Sequence, residues 1–443
     1  MLKKLLKKFI PKKLFTFYHW VLAWSAAVIY RFPSREMIVI CVTGTNGKST
    51  TVNLIAQVLG ATGKKVGLTS TANFKIGDRE WLNDKKMTML GRFGLQKILR
   101  QMVSAGCQYV VIEVSSEGIK QFRHLGINYD YVVFTNLTPE HLESHGGFEN
   151  YRRAKAELFA RISALPKKKF AGRVIDKQIL VNLDDPEAHY FSKYQADKKW
   201  GYGIVGEMKN KQVEVNDKLL AEYVVSESIK TVFKVKDQTI GVKILGKFNV
   251  YNALPAIIIG LEEGIELSKI RESLESFKGM PGRMEFIYGG QDFKVLVDYA
   301  PEPIALQKMY QALENIDCQR IIHVLGSCGG GRDKARRPIL GEIAAQRAKI
   351  IIVTNEDPYD DNPQEIIDQV AQGALNVGKI LGQEVFKVLD RRQALEMALA
   401  IAQTNDLVII TGKGSEQFIM GANGQKTPWD DRRVVREILK AKK

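Results

Sequence analysis

Short runs of apolar residues alternate with segments of helical spacing through the first half of the chain. The first run covers residues 37–42 (MIVICV), and others follow at residues 109–112, 131–134 and 178–181. Uninterrupted apolar runs of this length are typical of strands that are buried on both faces of a sheet. The segments between them carry apolar residues three or four positions apart, as after Ser49. This alternation predicts a doubly wound α/β domain with a central parallel sheet.

The pattern changes in the middle of the chain and resumes in its last third. Residues 205–245 alternate apolar and polar side chains, which predicts a small antiparallel patch, and residues 249–260 have helical spacing. The turn-rich segment 277–283 predicts a linker. Four further apolar runs, each followed by a helical stretch, lie at residues 294–297, 320–325, 350–354 and 407–411. We therefore expect a central domain over residues 37–279 and a C-terminal, Rossmann-like α/β domain over residues 280–443.

The first 36 residues form a third unit of different character. Residues 1–13 alternate apolar residues with lysine pairs, which predicts a basic amphipathic helix ending near Pro11. Residues 14–30 are almost free of charge and rich in aromatic side chains. We expect residues 1–30 to lie as an interfacial helix on an anionic membrane surface. The alternatives are a helix packed on the protein's own body or on a dimer partner, and a transmembrane anchor.

Composition narrows the classes of function. A chain of 443 residues is long enough for two or three domains, and its formal net charge of +16 suits nucleic acid, anionic membranes or phosphorylated ligands. Because the sequence has no zinc finger, RRM-like motif or aromatic-interleaved basic ribbon, we expect no nucleic-acid partner. Its cysteines are far apart, which fits a reduced compartment and disfavours a structural metal. They are Cys41, Cys107, Cys318 and Cys328.

A glycine-rich loop lies between the first predicted strand and the first predicted helix. Its sequence, TGTNGKST at residues 43–50, follows the phosphate-loop pattern, although Val42 replaces the first glycine of the strict form. Backbone N–H groups of such a loop bind phosphate oxygens. Lys48 would neutralise the β- and γ-phosphates, and the Ser49 hydroxyl would bind Mg²⁺. The predicted ATP-binding residues are Gly44, Thr45, Asn46, Gly47, Lys48, Ser49 and Thr50.

A predicted ATP site also restricts the predicted cellular location of the protein. Lysines before the apolar segment 14–30 would keep the N-terminus in the cytoplasm, so a single span would carry the following domain away from ATP. No small-residue cleavage site follows the segment, which disfavours a secretory signal. We expect a cytoplasmic enzyme that is peripheral at the inner face of the cell membrane. The oligomeric state is left open.

The loop and three downstream motifs resemble the Mur ligase family, the ATP-dependent acid–amino acid ligases of peptidoglycan synthesis, with the related folylpolyglutamate synthases. The motifs are EVSS at residues 113–116, TNLTPEHLESHG at residues 135–146 and YRRAK at residues 151–155. The resemblance implies two Mg²⁺ ions and a carbamylated lysine at Lys155. The two aspartates of the family's DHLD element are Glu140 and Glu143 here. The implied catalytic residues are Lys48, Glu113, His141 and Lys155, and the implied metal ligands are Ser49, Glu113, His141 and Lys155.

Further motifs extend the resemblance toward the nucleotide. They are GKFNVYNA at residues 246–253, PGRME at residues 281–285 and VDYA at residues 297–300. The resemblance implies ATP-binding roles for three residues, with the first near the adenine: Asn252, Arg283 and Asp298. Pro301 stands where the family commonly has histidine.

The C-terminal domain is most similar to that of the UDP-N-acetylmuramoyl-tripeptide synthetases, which add the third residue of the stem peptide. The motifs are GGGRDKARRP at residues 329–338, GKGSE at residues 412–416 and WDDR at residues 429–432. The resemblance implies that the incoming amino acid contacts Arg332, Gly412 and Glu416. It implies that the muramoyl-peptide acceptor contacts Thr88, Ser115, Gln121 and Arg123.

The sequence departs from this group in three places. The motif DNPR, which selects meso-diaminopimelate, is Glu356-Asp357-Pro358-Tyr359 here. Without an arginine at position 359 the distal carboxylate of that amino acid lacks its usual partner, and the acidic pair would suit lysine or another cationic side chain. Ser415 replaces the family's histidine. The resemblance covers residues 37–440, so we expect no counterpart of the family's N-terminal uridine-binding domain.

The sequence thus favours an ATP-dependent ligase that adds the third residue to a UDP-N-acetylmuramoyl peptide, with that peptide and a free amino acid as partners. The first alternative is a ligase for another acceptor, either a lipid-linked precursor or a folylpolyglutamate-type substrate. A lipid-linked precursor would give the N-terminal segment a purpose. The second alternative is a non-catalytic, nucleotide-binding membrane scaffold. It is disfavoured because a scaffold has no need to retain the four implied catalytic residues.

Overall fold

The structure is a computed structural model and describes residues 12–139, 145–208, 213–227 and 230–441. A large sheet is built from strands of the first half of the chain. The strands described there are β1 (Ile38–Thr43), β2 (Val66–Thr69), β3 (Asn73–Ile76), β4 (Arg79–Leu82), β5 (Tyr109–Glu113), β6 (Tyr131–Phe134), β7 (Lys168–Phe170), β8 (Arg173–Ile175), β9 (Gln178–Asn182), β10 (Lys198–Ile204), β11 (Asp217–Ser226), β12 (Thr231–Val235) and β13 (Gln238–Val242). The large sheet has the order β13-β12-β11-β10-β9-β6-β1-β5-β2-β3-β4, and β7 pairs with β8 in a separate hairpin.

The centre of the large sheet is parallel, as the apolar runs predict, and its edges are antiparallel. Strands from β2 through β5, β1, β6, β9 and β10 to β11 are parallel neighbours. The predicted antiparallel patch is confirmed as β11, β12 and β13, and it extends the sheet at one edge. A two-residue turn at Lys236-Asp237 joins β12 to β13, and Lys236 has φ +55°, which suits a tight hairpin. The whole sheet is therefore mixed.

Helices cover both faces of the large sheet. On one face Lys48–Gly60 packs beside Phe248–Glu262, and their apolar side chains form one core with those of the strands. On the other face the core includes residues of Arg92–Ser104 and Phe148–Ile162. The shorter helices of this region are Ser116–Lys120, Ala188–Ser192 and Leu267–Glu275.

A second sheet follows in the last third of the chain. Its strands are β14 (Glu285–Phe286), β15 (Lys294–Val297), β16 (Ile321–Leu325), β17 (Ile350–Thr354), β18 (Val385–Val388) and β19 (Leu407–Ile410), in the order β14-β15-β19-β16-β17-β18. All neighbours are parallel except β14 and β15. Two short strands, β20 (Phe418–Met420) and β21 (Lys426–Pro428), form a hairpin. The four predicted strands are confirmed as β15, β16, β17 and β19.

Helices also cover both faces of this second sheet, with a core on each side. They are Pro303–Ala312, Arg336–Arg347, Pro363–Asn376, Arg391–Ile401 and Asp431–Ala441, and short 3-10 helices lie at Pro33–Arg35 and Ala422–Gly424.

A helix over Lys12–Ile29 precedes the large sheet and packs on Arg92–Ser104. Its buried side is lined by Ala23, Ala26 and Ala27, which fits the alternative interpretation of a helix packed on the enzyme's own body. The opposite side leaves large apolar side chains exposed: Phe17, Tyr18, Trp20, Val21, Val28 and Ile29. In the part of the chain that the structure describes, no helix combines the length and apolar character that crossing a bilayer requires. The predicted helix end near Pro11 lies outside the described residues.

Candidate active site

A cavity of about 1070 Å³ lies where the carboxyl ends of strands from both sheets meet. Its wall includes the loop after β1, Glu113 at the end of β5, and residues that follow β6 and β9. The second sheet contributes residues that follow β15, β16 and β17, among them Asp298, Arg332 and Asp357. Ligand sites of parallel α/β sheets lie at such carboxyl ends. Both halves of the chain therefore form one candidate site.

The loop between β1 and the helix Lys48–Gly60 requires glycine at two positions. Gly44 has φ +150° and Gly47 has φ +82°. A Cβ on Gly44 would lie 2.0 Å from Thr135 Oγ1, and a Cβ on Gly47 would lie 2.2 Å from Asn252 Oδ1. The loop is thus pressed between two polar side chains, and the helix that follows offers its N-terminal N–H groups to an anion.

Asn252 supports the phosphate loop in this structure. The hydroxyl of Thr51 donates to Asn252 Oδ1 at 3.3 Å, and Asn252 Nδ2 donates to Asn249 Oδ1 at 2.8 Å. Asn252 also lines the cavity. Its expected contact with the adenine remains a prediction.

The segment after β6 holds the other side of the loop. The backbone N–H of Asn46 donates to Asn136 Oδ1 at 2.9 Å, and the N–H of Thr45 donates to the Asn136 carbonyl at 2.8 Å. The hydroxyl of Thr135 donates to the Asn46 carbonyl at 2.8 Å. These bonds fix the loop backbone before a phosphate binds, which reduces the ordering that binding requires.

Glu113 connects the loop with the next strand of the sheet. Its Oε2 atom accepts hydrogen bonds of 2.7 Å from the Ser49 hydroxyl and 2.7 Å from the Thr71 N–H. The Thr71 hydroxyl lies 2.9 Å from Glu113 Oε1 and 3.0 Å from the Thr88 hydroxyl. The structure thus brings together two predicted metal ligands, Ser49 and Glu113, and one predicted acceptor residue, Thr88.

Two lysines lie at the loop. Lys155 is 2% exposed, donates to the Gly44 carbonyl at 2.7 Å and lies 4.6 Å from the ring centre of Tyr151. Lys48 donates to the Thr45 carbonyl at 2.7 Å. The positive charge of Lys48 suits a polyphosphate at this position. Carbamylation of Lys155 remains a prediction.

The described oxygen donors fit magnesium. The Ser49 hydroxyl and the Glu113 carboxylate are hard ligands, and Mg²⁺ at a phosphate site commonly takes only one or two protein ligands. Within the four described ranges no three His, Cys, Asp or Glu side chains are grouped as a metal site of their own. His141, Glu140 and Glu143 lie outside the described residues, so the role of His141 remains a prediction.

The end of β9 and the segment after it line the cavity with three residues that were not predicted: Asn182, Asp184 and Asp185. Asp185 accepts the N–H groups of Leu137 and Glu187, each at 2.9 Å, and burial raises its pKa to about 6. It therefore holds the segment that supports the phosphate loop. Its place after an apolar run, at the same sheet edge as Glu113, is the sequence signal that could have identified it.

The predicted nucleotide residues Arg283 and Asp298 lie on the C-terminal side of the cavity. The Arg283 guanidinium lies 4.3 Å from the ring centre of Tyr299, and Asp298 accepts the Met284 N–H at 3.0 Å. Burial raises the pKa of the Asp298 carboxyl, and the nearby Arg283 only partly opposes this. Arg283 lies just before β14, where the chain enters the second sheet, and Asp298 lies directly after β15.

The four predicted acceptor residues fall into two groups. Thr88 and Ser115 line the cavity, and Ser115 accepts the N–H of Gly118 at 3.1 Å as a helix cap. Gln121 and Arg123 are not in the cavity wall; Arg123 Nε donates to Gln121 Oε1 at 3.1 Å. The carbonyl of Gln121 also accepts a hydrogen bond from Arg92 at the start of the helix Arg92–Ser104.

The predicted amino acid site is divided in the same way. Four of its residues line the cavity: Arg332, Asp357, Tyr359 and Glu416. The other three, Glu356, Pro358 and Gly412, are not in the cavity wall. Glu356 accepts a hydrogen bond of 2.8 Å from Cys328 Sγ, burial raises its pKa, and a Cβ on Gly412 would lie 2.3 Å from its Oε2 atom. Of the adjacent acidic pair, therefore, Asp357 faces the cavity and Glu356 supports the wall.

Two lysines that were not predicted complete this wall. Lys413 donates to Asp357 and to Glu416, each at 2.8 Å, and Lys86 contacts the same two carboxylates from the other domain. Burial opposes the charge of Lys413, but the two carboxylates outweigh it and hold the pKa of Lys413 above its ordinary value. Burial likewise opposes the charge of Asp357, yet Lys413 and Lys86 keep the pKa of Asp357 low. Lys413 and Asp357 are therefore both charged at neutral pH.

Sequence models of two domains match the chain. The model of the Mur ligase middle domain matches residues 42–260, and the model of the Mur ligase, glutamate ligase domain matches residues 282–414.

Curated relatives are similar over almost the whole chain. The UDP-N-acetylmuramyl-tripeptide synthetase of Roseiflexus sp. (strain RS-1) is 37% identical over 429 residues, which cover 94% of this chain and 81% of the relative. The UDP-N-acetylmuramoyl-L-alanyl-D-glutamate–2,6-diaminopimelate ligase of Geobacillus kaustophilus (strain HTA426) is 34% identical over 428 residues, which cover 95% of this chain and 82% of the relative.

Solved structures share the fold. A UDP-N-acetylmuramoyl-L-alanyl-D-glutamate–2,6-diaminopimelate ligase superposes with a TM-score of 0.58 at 27% identity, over 92% of this chain and 79% of the other. A Mycobacterium tuberculosis folylpolyglutamate synthase complexed with ADP and AMPPCP gives a TM-score of 0.66 over 88% of this chain and 92% of the other. At 14% identity the second likeness concerns the fold alone.

Proposed function

Because the chain belongs to the Mur ligase family, we propose that it adds the third amino acid to a muramoyl-peptide acceptor through an acyl phosphate. The family consists of ATP-dependent, Mg²⁺-using ligases of peptidoglycan synthesis, which form amide bonds and release ADP. The chain is an enzyme of this kind. Its acceptor, its amino acid and the roles of individual residues are the proposal.

One observation carries the proposal. The phosphate loop with Ser49 and Glu113 and the charged wall with Asp357 and Glu416 line the same cavity, although they belong to different sheets. ATP, an acceptor carboxylate and an amine must come within bond-forming distance for this chemistry. A cavity with a phosphate site on one side and an ammonium site on the other supports it.

The first step forms the acyl phosphate. An oxygen of the acceptor carboxylate attacks the γ-phosphorus of ATP, and the bond between that phosphorus and the ADP oxygen breaks. Both reactants are anions, so Lys48 and the N–H groups of the loop stabilise the transition state by offsetting the repulsion. Ser49 and Glu113 would hold Mg²⁺, which neutralises phosphate charge when bound.

The second step forms the amide. A neutral amine of the amino acid attacks the acyl carbon, the tetrahedral intermediate loses phosphate, and the amine loses its proton. An ammonium held by Asp357 and Glu416 stays protonated and cannot attack. With a diamino acid, this pair would therefore select the other amine as the nucleophile.

We propose a cationic amino acid, such as lysine, as the residue added. Tyr359 occupies the position of the arginine that would bind a distal carboxylate, and its hydroxyl lies close to the Arg332 guanidinium. Asp357 and Glu416 already bind two ammonium groups of the chain itself. A wall of this chemistry favours an amine-terminated side chain over one that ends in a carboxylate.

Phosphate release, assayed across amino acids and acceptors, tests the proposal. We expect release only when ATP, a muramoyl peptide and a cationic amino acid are all present.

Lys48→Ala should lower turnover by about a thousandfold or more, because the charge that stabilises the transferring phosphoryl group is lost. Lys169→Ala removes an exposed lysine on β7 and should leave turnover unchanged. Substantial activity of Lys48→Ala would contradict the mechanism, and no release with any pair of substrates would favour the scaffold.

A lipid-linked acceptor is the second candidate, and the N-terminal helix favours it. Helix Lys12–Ile29 exposes several large apolar side chains. Burial and the nearby Arg123 lower the pKa of Arg92 on the neighbouring helix, and Tyr18 partly opposes this. Arg92 in turn binds Gln121, one of the predicted acceptor residues. The first acidic residue of the chain is Glu36, and eight basic residues precede it: Lys3, Lys4, Lys7, Lys8, Lys12, Lys13, Arg31 and Arg35.

An exposed apolar helix side with an excess of positive charge suits an anionic lipid surface. Such contact would turn Gln121 and Arg123 toward the membrane, where a lipid-linked muramoyl peptide is presented. We therefore infer an anionic membrane surface as a partner of residues 1–30.

Vesicle binding tests the membrane contact on which the lipid-linked candidate depends. We expect the protein to co-sediment with phosphatidylglycerol vesicles more than with phosphatidylcholine vesicles, and salt to weaken binding. Trp20→Glu should reduce binding at least about tenfold, because a charge enters the apolar side. Tyr288→Glu changes an aromatic residue that is 75% exposed in the C-terminal domain and serves as the matched control. Equal binding of Trp20→Glu and wild type, or unchanged activity on a lipid-linked acceptor after deletion of residues 1–36, would contradict this candidate.

A further inference from the structure

Lys86 reaches from the central domain into the charged wall of the C-terminal domain. It lies in the loop between β4 and the helix Arg92–Ser104, and its side chain is 9% exposed. Its Nζ atom lies 2.8 Å from Asp357 Oδ2 and 2.5 Å from Glu416 Oε2. Lys86 lines the cavity together with both carboxylates. An ammonium group of the chain thus occupies the point at which these two acidic side chains converge.

The second ammonium at this point has a different character. Lys413 is fully buried, and its Nζ atom lies 2.8 Å from Asp357 Oδ1 and 2.8 Å from Glu416 Oε2. It belongs to the same segment as Glu416, three residues away, so it stays with the carboxylates however the two domains move. Lys413 is therefore a counterion that belongs to the C-terminal domain itself, whereas Lys86 is a counterion that the central domain contributes.

At this point two carboxylates are in direct contact with two ammonium groups. A third buried cation would have no partner, and an unpaired buried charge is strongly destabilising. A cationic ligand can therefore enter only by exchange with one of the two lysines. Lys86 is the one that can leave, because its loop belongs to the opposite wall of the cavity and its side chain is partly exposed.

We propose that Lys86 is a specificity-determining residue. Its ammonium group occupies the position of the side-chain ammonium group of the incoming amino acid, and only a cationic side chain displaces it. The inference rests on the proposed function in one respect, which is that this wall receives the amino acid. A neutral or acidic amino acid that displaced Lys86 would leave a carboxylate without its counterion. Lys86 thus discriminates by charge against amino acids that would otherwise fit.

The exchange also links amino acid binding to the acceptor side of the cavity. Lys86 has φ +55°, a conformation that costs energy for a residue with a side chain. Its contacts with Asp357 and Glu416 hold this loop, and Thr88, two residues on, lines the cavity next to Thr71. Release of Lys86 by the amino acid would therefore free the loop that carries a predicted acceptor residue.

A competing internal group lowers the apparent affinity for the ligand. The measured dissociation constant equals the intrinsic constant divided by the fraction of molecules in which the position is free. If Lys86 leaves it free in about one molecule in ten, its removal strengthens binding by about tenfold. A lysine that merely held the domains together would have the opposite effect, since its loss would weaken binding.

Calorimetric titration of the full chain with free L-lysine tests this inference without turnover. We expect Lys86→Met, which keeps the side-chain length and loses the charge, to bind L-lysine about tenfold more tightly than wild type. Lys86→Gln should change affinity in the same direction, so that the test does not depend on the folding of one variant. Lys86→Arg retains a competing cation and should bind like wild type.

Two controls complete the experiment. Lys85→Met removes the neighbouring lysine, whose side chain is 56% exposed and paired with Asp84, and should leave affinity unchanged. Norleucine, which has the side-chain length of lysine without the ammonium group, should gain nothing from Lys86→Met. Unchanged or weaker binding of L-lysine by both Lys86→Met and Lys86→Gln overturns the inference, as does an equal gain for norleucine. Failure of the proposed function shows separately, as absence of amide formation by wild type with every acceptor.

Discussion

The hydroxyl of Ser49 donates a hydrogen bond of 2.7 Å to the Oε2 atom of Glu113, across 64 residues of sequence. This bond joins the first turn of the helix after the phosphate loop to the carboxyl end of β5. It places a hydroxyl and a carboxylate side by side where the loop would hold the phosphates. The pair has the donor chemistry and the position of a magnesium site.

We expect Glu113→Gln to raise the Mg²⁺ concentration needed for half-maximal activity by at least about tenfold and to lower kcat by about a hundredfold. The amide oxygen of glutamine can still accept from Ser49, so the fold should persist while the negative charge is lost. Phosphate release measured against Mg²⁺ concentration checks this, with Glu272→Gln on an exposed helix position as the control. An unchanged Mg²⁺ requirement would remove Glu113 from the metal site.

Lys155 is predicted to act as a carbamate, and its burial at the Gly44 carbonyl allows a direct test. In protein equilibrated with ¹³C-bicarbonate we expect a carbamate carbonyl resonance that Lys155→Gln lacks and that Lys169→Gln, at an exposed position, retains. Lys155→Gln should also lower turnover by at least about a hundredfold, since an anionic ligand for Mg²⁺ disappears. A wild-type spectrum without the resonance would mean that Lys155 acts as an ammonium group.

Tyr359 should control selection against diaminopimelate. We expect Tyr359→Arg to raise kcat/KM for meso-diaminopimelate relative to lysine by about tenfold or more, because a guanidinium binds a distal carboxylate by charge-assisted hydrogen bonds. Tyr359→Phe removes only the hydroxyl close to Arg332 and adds no positive charge, so it should not improve use of diaminopimelate. Competition between the two amino acids, read from the products, measures the ratio. An unchanged ratio in Tyr359→Arg would show that another residue sets this preference.

Asp185 should make stability depend on pH. Burial raises its pKa from 3.8 to about 6, so the folded chain binds this proton more tightly than the unfolded chain does. The stabilisation is fully present below the unfolded value and is lost as the pH rises through the folded value. Relative to wild type, the free energy of unfolding of Asp185→Asn should therefore increase with pH between about 4 and about 7, by up to about 3 kcal/mol. Urea unfolding of both proteins across this range checks the sign, and a difference that shrinks with rising pH contradicts it.

The central sheet was predictable because its information is local. The apolar run at residues 37–42 and the loop after it give β1 and the phosphate site from neighbouring residues alone. Strands β3 and β4 were not predicted, because their half-exposed sequences contain Lys75 and Arg79 and lack an apolar run. The parallel strands β1, β5, β6 and β9 thus followed from hydrophobicity, whereas the antiparallel edge formed by β3 and β4 did not.

The charged wall shows what sequence reasoning cannot reach. Glu356 and Asp357 are adjacent and both acidic, and no periodicity tells which of them faces the cavity; the fold turns Asp357 inward and Glu356 toward Cys328. Lys86 and Asp357 are 271 residues apart and lie in different domains. Their contact depends on how the domains pack against each other, and no local sequence pattern predicts that packing.

Transfer of oxygen from the acceptor carboxylate tests the central claim most directly. Wild-type enzyme would be given ATP, a cationic amino acid and a muramoyl-peptide acceptor whose reacting carboxylate carries ¹⁸O, and the released phosphate would be analysed by mass spectrometry. An acyl-phosphate route leaves one carboxylate oxygen on the phosphate, so we predict one ¹⁸O atom in the inorganic phosphate for each amide formed. Amide formation with unlabelled phosphate would contradict the account.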